Sequence, residues 1–525
     1  TQDTLSKTGN EVPDATADLV LQMMQKAYNV NGYTYSAMKT LFETDPDALY
    51  AMVGVVSDED VAKQHISIRG ATESKNEALK RSVINGLDFI DSLTTDEDGN
   101  FPDYYLPMSV WSVNRVGVSS NLFNEQGDKV HRALTTMTAH KQQVTISPVV
   151  DSDNKLTQYG RFLTGVAAYM EGIKINGKTV DKTDGVSFLP GFQAYISSER
   201  FQEVLESVGA LVLGTATAED IERVQIEVLK LEGGAMSLTS LIALYEASKA
   251  VDGVFTTSMS TGSDGVTNGM ALSLLMYDAA TPLDPVAMPT GERDAFNAGG
   301  IFFEGDSVDS MVKFRKSGKS DLYEQLAKVQ KDLLKKFTED RKNAALLNFI
   351  AAMNNIDPTF GTRAGAKVSL VPFVYGSGFR SIGAAQSRAF MEQFYKALTK
   401  AMLSGDAAKI KQFQANYVAL AQGARIPVAH DFTKMSVKDA LDTELSLRDV
   451  KAITGVENKI RKAITKDALS QVAGTLIQAR SRVSGLANVG FESYNRLYRA
   501  LYDQAYGKLA EGKFLPYRIG TSGSL

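Results

Sequence analysis

A helical repeat of apolar residues between Lys319 and Asn354 constrains this chain more than any other feature. Leu322, Leu326, Val329, Leu333 and Phe337 recur at spacings of four, three, four and four. That spacing lines one face of a 3.6-residue helix, and the face needs a second apolar surface to cover it. The chain is therefore committed to helix-on-helix packing. The same periodicity marks Ala15–Val30, Lys75–Leu93, Ser197–Val212, Ala218–Leu231, Arg363–Tyr375, Ala384–Leu403, Ala407–Ala421 and most of the chain from Leu441 onward. Tyr104–Trp111, Gln143–Val150, Gly253–Ser260 and Ile426–Ala429 have strand character instead. The expected fold class is α+β, mostly helical, with a small antiparallel sheet.

Composition narrows the chemistry. The 525 residues include no cysteine, which excludes disulfide scaffolds, cysteine-ligated zinc and thiol nucleophiles. Only four histidines occur (His65, His131, His140 and His430), too few for a multi-histidine metal centre. No run of about 18 apolar residues is present, so no membrane span is expected. The first residues are polar and carry no signal-peptide-like stretch. The chain opens on Thr1, as expected of a processed chain or of a piece cut from a longer one. A net charge of −5 argues against a nucleic-acid partner only as a whole-chain sum. A carboxylate site beside one basic channel gives the same total.

Four short motifs carry candidate chemistry. Arg363-x3-Lys367-x7-Tyr375-Gly376 falls on an expected helix. Steps of four and eight residues bring two cations and a phenol near one stripe of it. Cations suit a triphosphate and a planar aromatic suits a base or sugar; the plain alternative is a solvated basic face over a core tyrosine. Asp264-Gly265-x3-Gly269 follows an expected strand and would suit metal and phosphate, although an Asp-Gly turn is the commoner use. His430-Asp431 follows the apolar Ile426–Ala429, and Thr157-x-x-Gly160-Arg161 places an arginine after a glycine. Taken singly, each of these two has an ordinary structural reading.

Their order is more specific than any of them alone. The series Thr-x-x-Gly-Arg, Asp-Gly-x3-Gly, Arg-x3-Lys-x7-Tyr-Gly, His-Asp resembles the arginine motif and motifs A, B and C of the single-subunit, phage- and mitochondrial-type DNA-dependent RNA polymerases. Asp321-Leu322-Tyr323 opens the long helix between motifs A and B, as in that family. The resemblance covers about residues 157–431, and its lack of large promoter-reading insertions points to a compact, divergent phage branch of the virion-packaged type. Only 63 residues separate Lys367 from Asp431, Phe432 stands where a small polar residue is usual, and Pro372 inside the motif B helix is expected to kink it.

The resemblance implies a right hand of palm, fingers and thumb. Residues 1–150 would be a helical N-terminal region with a thumb-like segment. Residues 151–310 would be the first part of the palm and 311–410 the fingers. Residues 411–445 would complete the palm, and 446–525 would form a helical C-terminal region. It implies ribonucleotide addition with two Mg²⁺ ions, Mn²⁺ serving as a substitute. Asp264, the Gly265 carbonyl and Asp431 would be the metal ligands. Arg363 and Lys367 would hold the triphosphate, Tyr375 and Gly376 would pack against nucleotide and template, and His430 would flank the primer end. Arg161 would contact hybrid or nucleotide, with Tyr323 on the fingers side. The implied partners are DNA template, nascent RNA and ribonucleoside triphosphates, together with an accessory single-stranded-DNA-binding or promoter factor. The implied location is the host cytoplasm during transcription, after packaging in the virion. Lys328, Lys331, Lys335 and Lys342 on the long helix, and a cluster from Lys459 through Arg461 and Lys462 to Lys466, would either line the nucleic-acid channel or form plain solvated faces. A family A DNA polymerase shares motifs B and C, but its motif A carries a glutamate where this chain reads Gly-Val-Thr-Asn-Gly after Asp264. A non-catalytic virion or DNA-scaffold protein is the alternative from another class.

Overall fold

The computed structural model describes residues 14–259 and 322–483, apart from residues 98, 111–115, 120–122, 154–155, 171, 176–177, 180–188, 232 and 375–377. Trp111, Asp264, Gly265, Asp321, Tyr375 and Gly376 lie outside the described residues. Helices dominate, and the strands form two-stranded antiparallel ribbons, an α+β arrangement.

The first body runs through α1 (Asp14–Met24), β1 (Tyr28–Val30), α2 (Gly32–Thr44), α3 (Pro46–Val53), α4 (Asp58–Ala62), α5 (Ile66–Asp91), β2 (Met108–Val110), β3 (Val116–Val118), α6 (Lys129–Leu134) and β4 (Thr135–Met137). It continues through β5 (Gln142–Thr145), α7 (Gln158–Tyr169), β6 (Lys174–Ile175), β7 (Lys178–Thr179), α8 (Leu189–Ile196), α9 (Glu199–Val212), α10 (Ala218–Leu229), α11 (Ala235–Ser248) and β8 (Val254–Thr257). Its centre is α11, which is buried on every side from Ala235 to Leu244. A helix apolar all round belongs in the middle of a core, and α2, α6, α7, α9 and β8 pack against it. Val149 and Leu156, on either side of residue 150, are buried in this same core.

One expected helix ends early. Ala15–Val30 stops being helical after Met24, and Tyr28–Val30 pairs with Thr135–Met137 instead. The Tyr28 amide donates to the Tyr104 carbonyl at 2.9 Å, and the Tyr104 amide returns the bond at 2.8 Å. Asn31 then caps α2 by accepting from the Thr34 amide.

The second body comprises α12 (Leu322–Glu339), α13 (Ala344–Ile356), α14 (Arg363–Val374), α15 (Phe379–Leu403), α16 (Ala407–Gly423), a 3₁₀ turn at Phe432–Lys434, α17 (Val437–Asp442) and α18 (Leu447–Val483). Its core is aromatic. Phe394 lies 5.2 Å from Phe413 between ring centroids, and Tyr417 lies 5.4 Å from Phe432. The Lys319–Asn354 repeat resolves into two helices rather than one. Asn343 stops the run by capping α13 through the Leu346 amide at 3.1 Å. Lys342 therefore stands in the break and not on the lysine-bearing face of α12.

The expected strand Ile426–Ala429 is irregular chain. Arg425 has a positive φ of 58°, and Pro427 offers no amide for a ladder. The backbone beyond it is satisfied by a helix side chain: Gln414 on α16 donates to the His430 carbonyl at 3.0 Å and accepts from the Phe432 amide at 2.9 Å.

The two bodies meet at His65. This imidazole is fully buried, caps α5 by accepting from the Ser67 amide at 3.1 Å, and lies 2.9 Å from the Thr443 carbonyl through Nε2. It stacks on Tyr395 with centroids 4.1 Å apart. Ser67–Glu444 and Arg69–Asp442 contacts flank it. Burial pushes the imidazole below its ordinary value, opposed by the Thr443 carbonyl and by Glu444. A histidine held neutral by the fold contributes stability that is fully present above about pH 6.5 and is lost as pH falls through its lowered value. Thermal melts from pH 8 to pH 5 are expected to show a smaller acid loss in His65→Asn, which keeps a capping side chain, than in the unaltered protein. His65→Ala is expected to lose roughly 1 kcal/mol at pH 8 through the cap.

Candidate functional site

The arginine motif is built by a cap and a close approach. Thr157 accepts from the Gly160 amide at 3.0 Å and donates to the Pro148 carbonyl at 2.7 Å. A Cβ on Gly160 would stand 2.1 Å from the Val149 carbonyl oxygen, so only glycine lets α7 approach the chain beyond β5. Arg161, one residue on, is exposed. The helix lies on the ribbon formed by β5 and β8. Gln158 donates to the Gln143 carbonyl at 3.0 Å, and Phe162 meets Phe255 at 4.9 Å. The expected strand before Asp264 is thus present as β8, paired with β5 from Gln142↔Thr257 to Thr145↔Val254. The Arg161 helix packs on the strand that leads to Asp264.

Arg363 and Lys367 lie on α14, which is continuous through Val374 with Pro372 in its last turn. Ala366, Ser369 and Leu370 are buried on one side, and Arg363 and Lys367 are exposed on the other. The Arg363 guanidinium sits 5.3 Å from the Tyr323 ring centroid, an ordinary cation–π distance. Lys367 has no ion-pair partner among the described residues. Behind the helix lies a polar layer. Gln330 reaches Thr465 at 3.1 Å and Ser369 at 3.4 Å, and Gln386 reaches Thr465 at 2.9 Å.

The start of α14 is fixed from beneath. Thr362 caps it, and a Cβ on Gly365 would stand 2.3 Å from the Thr359 carbonyl oxygen. Thr359 is held by Asp357 through its amide at 3.0 Å and its hydroxyl at 2.5 Å. Asp357 is buried and pairs with Arg461 at 2.6 Å. Arg461 also lies 3.4 Å from Glu457, and its guanidinium sits over Phe360 and Phe390 at 4.7 and 5.2 Å. Burial pushes the Glu457 carboxyl up, against the pull of Arg461 and of the Ser387 hydroxyl 2.6 Å away. The sequence reading of Arg461 as a channel cation is corrected here: it is only 2% exposed. Lys459 and Lys466 are exposed, as are Lys328, Lys331 and Lys335.

His430 and Asp431 belong to a turn beside α16. The His430 ring faces Tyr417 and Phe432, with centroids 6.4 and 5.9 Å away. Asp431 caps the 3₁₀ turn, accepting from the Thr433 amide at 3.2 Å and its hydroxyl at 2.5 Å, and pairs with Lys434 at 2.9 Å. Hydrogen bonds from Thr433, then the Lys434 ammonium, hold its carboxyl below the usual range. Among the described residues no three His, Asp or Glu side chains converge to hold a metal ion. The structure brings Arg363, Lys367 and Tyr323 together, and His430 with Asp431. Sequence reading missed the Asp357–Arg461–Glu457 triad; the Glu457–Arg461 spacing of four on a helix was its only local signal.

Two family models match the chain. Residues 15–135 match a virion DNA-directed RNA polymerase domain, and residues 306–502 match the bacteriophage N4 RNA polymerase helical domain. The second span includes α14 as well as His430 and Asp431. Comparison with curated proteins gave no match. The two matches define a phage nucleotidyltransferase. The chain belongs to the virion-type DNA-directed RNA polymerases of bacteriophages.

Replacing Arg461 with leucine leaves two buried carboxylates without their cation, a change that costs about 3–5 kcal/mol in buried ion pairs. Arg461→Leu is expected to lower the urea midpoint accordingly. A midpoint equal to that of the unaltered protein would remove the triad from this account.

Proposed function

We propose that this chain carries the nucleotide-addition site of a template-directed RNA polymerase, with α14 as the helix that receives the incoming ribonucleoside triphosphate. The observation that carries this reading is the two-sided build of α14. One side is buried against α12 and α15, and the other presents Arg363 and Lys367 one turn apart to solvent. Two fixed cations at that spacing suit consecutive phosphates, the guanidinium by paired donors and the ammonium as a point charge. The Tyr323 ring lies 5.3 Å from the Arg363 guanidinium, within cation–π range. Tyr375 and Gly376 would continue this side toward the sugar and the template. Arg161, placed by the Thr157 cap and the Gly160 approach, would contact the hybrid.

The metal reading rests on Asp264 and Gly265, which follow β8 in the sequence, and on Asp431 with His430 beside it. Two divalent ions held there would activate the RNA 3′-hydroxyl and neutralise the leaving pyrophosphate. The cap and the Lys434 pair account for the position of Asp431 without a metal, so its variant is the discriminating one. A palm, fingers and thumb layout, packaging in the virion and action in the host cytoplasm are part of the same proposal. DNA template and nascent RNA are the proposed partners.

Primer extension on a single-stranded DNA template, with ribo- or deoxyribonucleotides and with or without Mg²⁺, tests the reading. Ribonucleotide addition is expected to need Mg²⁺ and to fall at least 100-fold in Asp264→Ala. In Arg363→Ala and Lys367→Ala it is expected to fall tenfold or more, largely through KM. A clear preference for deoxyribonucleotides would overturn the RNA assignment. Full activity in Asp431→Ala would remove that residue from the metal site and leave it as a cap.

A further inference from the structure

A cavity of about 470 Å³ opens on the first core, where β6, α9 and α10 end against one another. Lys174 on β6, Arg200 in the first turn of α9 and Lys230 just past the end of α10 all line it. Among the described residues its one acidic lining residue is Glu227, only 3% exposed. That carboxylate is already engaged: Tyr195 donates its hydroxyl to it, and Lys230 pairs with it at 2.7 Å. Lys174 and Arg200 have no ion-pair partner among the described residues. Two cations without an ion pair among the described residues therefore face one concavity, above a wall made by Tyr195 and Phe201, whose rings lie 5.2 Å apart.

The backbone adds donors of the same sign. Ser198 stands at the N-cap of α9, yet its hydroxyl goes to the Tyr195 carbonyl at 2.7 Å and caps no amide. Of the first-turn amides of α9, that of Phe201 donates to the Ser198 carbonyl at 2.9 Å, which leaves those of Glu199 and Arg200 without an acceptor in the helix. Cations, open amides and an aromatic wall in a space of this size suit an anion that carries a planar group.

We propose that this cavity is a nucleotide-phosphate site separate from α14. Lys174, Arg200 and the start of α9 hold the phosphate, and the base or sugar lies against Tyr195 and Phe201. The nucleotide is either one residue of a single-stranded nucleic acid or a free nucleotide. The site stands on the first body and Arg363 and Lys367 on the second, so it does not depend on the role given to α14.

The test is direct binding by the full chain. Fluorescence anisotropy reads a labelled 20-nucleotide oligo-dT over a range of salt, and calorimetry reads AMP. The variant is Lys174→Glu with Arg200→Glu, both on exposed side chains; Lys396→Glu, on α15, is the charge control. Loss of about tenfold in oligonucleotide affinity, with a salt slope shallower by roughly one to two, is the expected result for a strand phosphate. Loss of AMP binding with unchanged oligonucleotide binding assigns the site to a free nucleotide and also supports the proposal. Affinities for both ligands matching those of the unaltered protein overturn it, as does an equal loss in Lys396→Glu. Ribonucleotide addition at saturating template is expected to persist in the double variant. Failure of the polymerase reading would appear as absent addition in the unaltered protein, with these binding results still legible.

Discussion

The guanidinium of Arg461, held between Asp357 and Glu457 and sandwiched by Phe360 and Phe390, is the interaction on which the second body depends. It joins α18 to the turn after α13 and, through Ser387, to α15. Burying three charges is costly, and the cost is offset only while each has its partners. Arg461 donates to Asp357 through Nη1 at 2.6 Å, while its Nε and Nη2 and Glu457 Oε1 make no hydrogen bond among the described residues, so the Asp357 pair sets the geometry. Asp357 passes that geometry to Thr359, and the Thr359 carbonyl meets Gly365 at a distance that excludes any other side chain. The exposed cations of α14 are thus located by a buried one.

The same logic appears in the first body with different parts. Thr157 and Gly160 look like functional motif residues, yet one is a cap and the other a contact point. Their product is the placement of Arg161 on a helix that covers β8. Gly160 is buried and Thr157 half-buried, and Arg161 is the exposed member. His65 does comparable work between the bodies, closing the start of α5 while bonding to the chain beyond α17.

Much of this was legible in the sequence where burial follows a single stripe. Ser197–Val212, Ala218–Leu231 and Ala407–Ala421 became helices with nearly the expected ends, because apolar residues at helical spacing leave few alternatives. Tyr28–Val30 and Ile426–Ala429 failed because distant groups decide them: Tyr104 and Thr135–Met137 for the first, Gln414 for the second. Arg461 failed for another reason. Charge suggests exposure, and the two aromatic rings and the aspartate that bury this arginine lie 71 to 104 residues away in sequence. Of the site, motif order brought out Arg363 and Lys367, whose shared face depends only on helix geometry. The second-body position of His430 and Asp431 was not legible, because a dipeptide carries no record of the helix it packs beside.

The central claim is that Lys367, on the outward face of α14, meets the phosphates of a ribonucleoside triphosphate. Lysine reactivity toward a small acylating reagent, read by mass spectrometry with and without nucleotide, tests it without requiring turnover. Lys367 is expected to be protected by a ribonucleoside triphosphate and much less by the monophosphate, while exposed Lys335 on α12 keeps its reactivity. Equal labelling of Lys367 with and without saturating triphosphate would contradict the account.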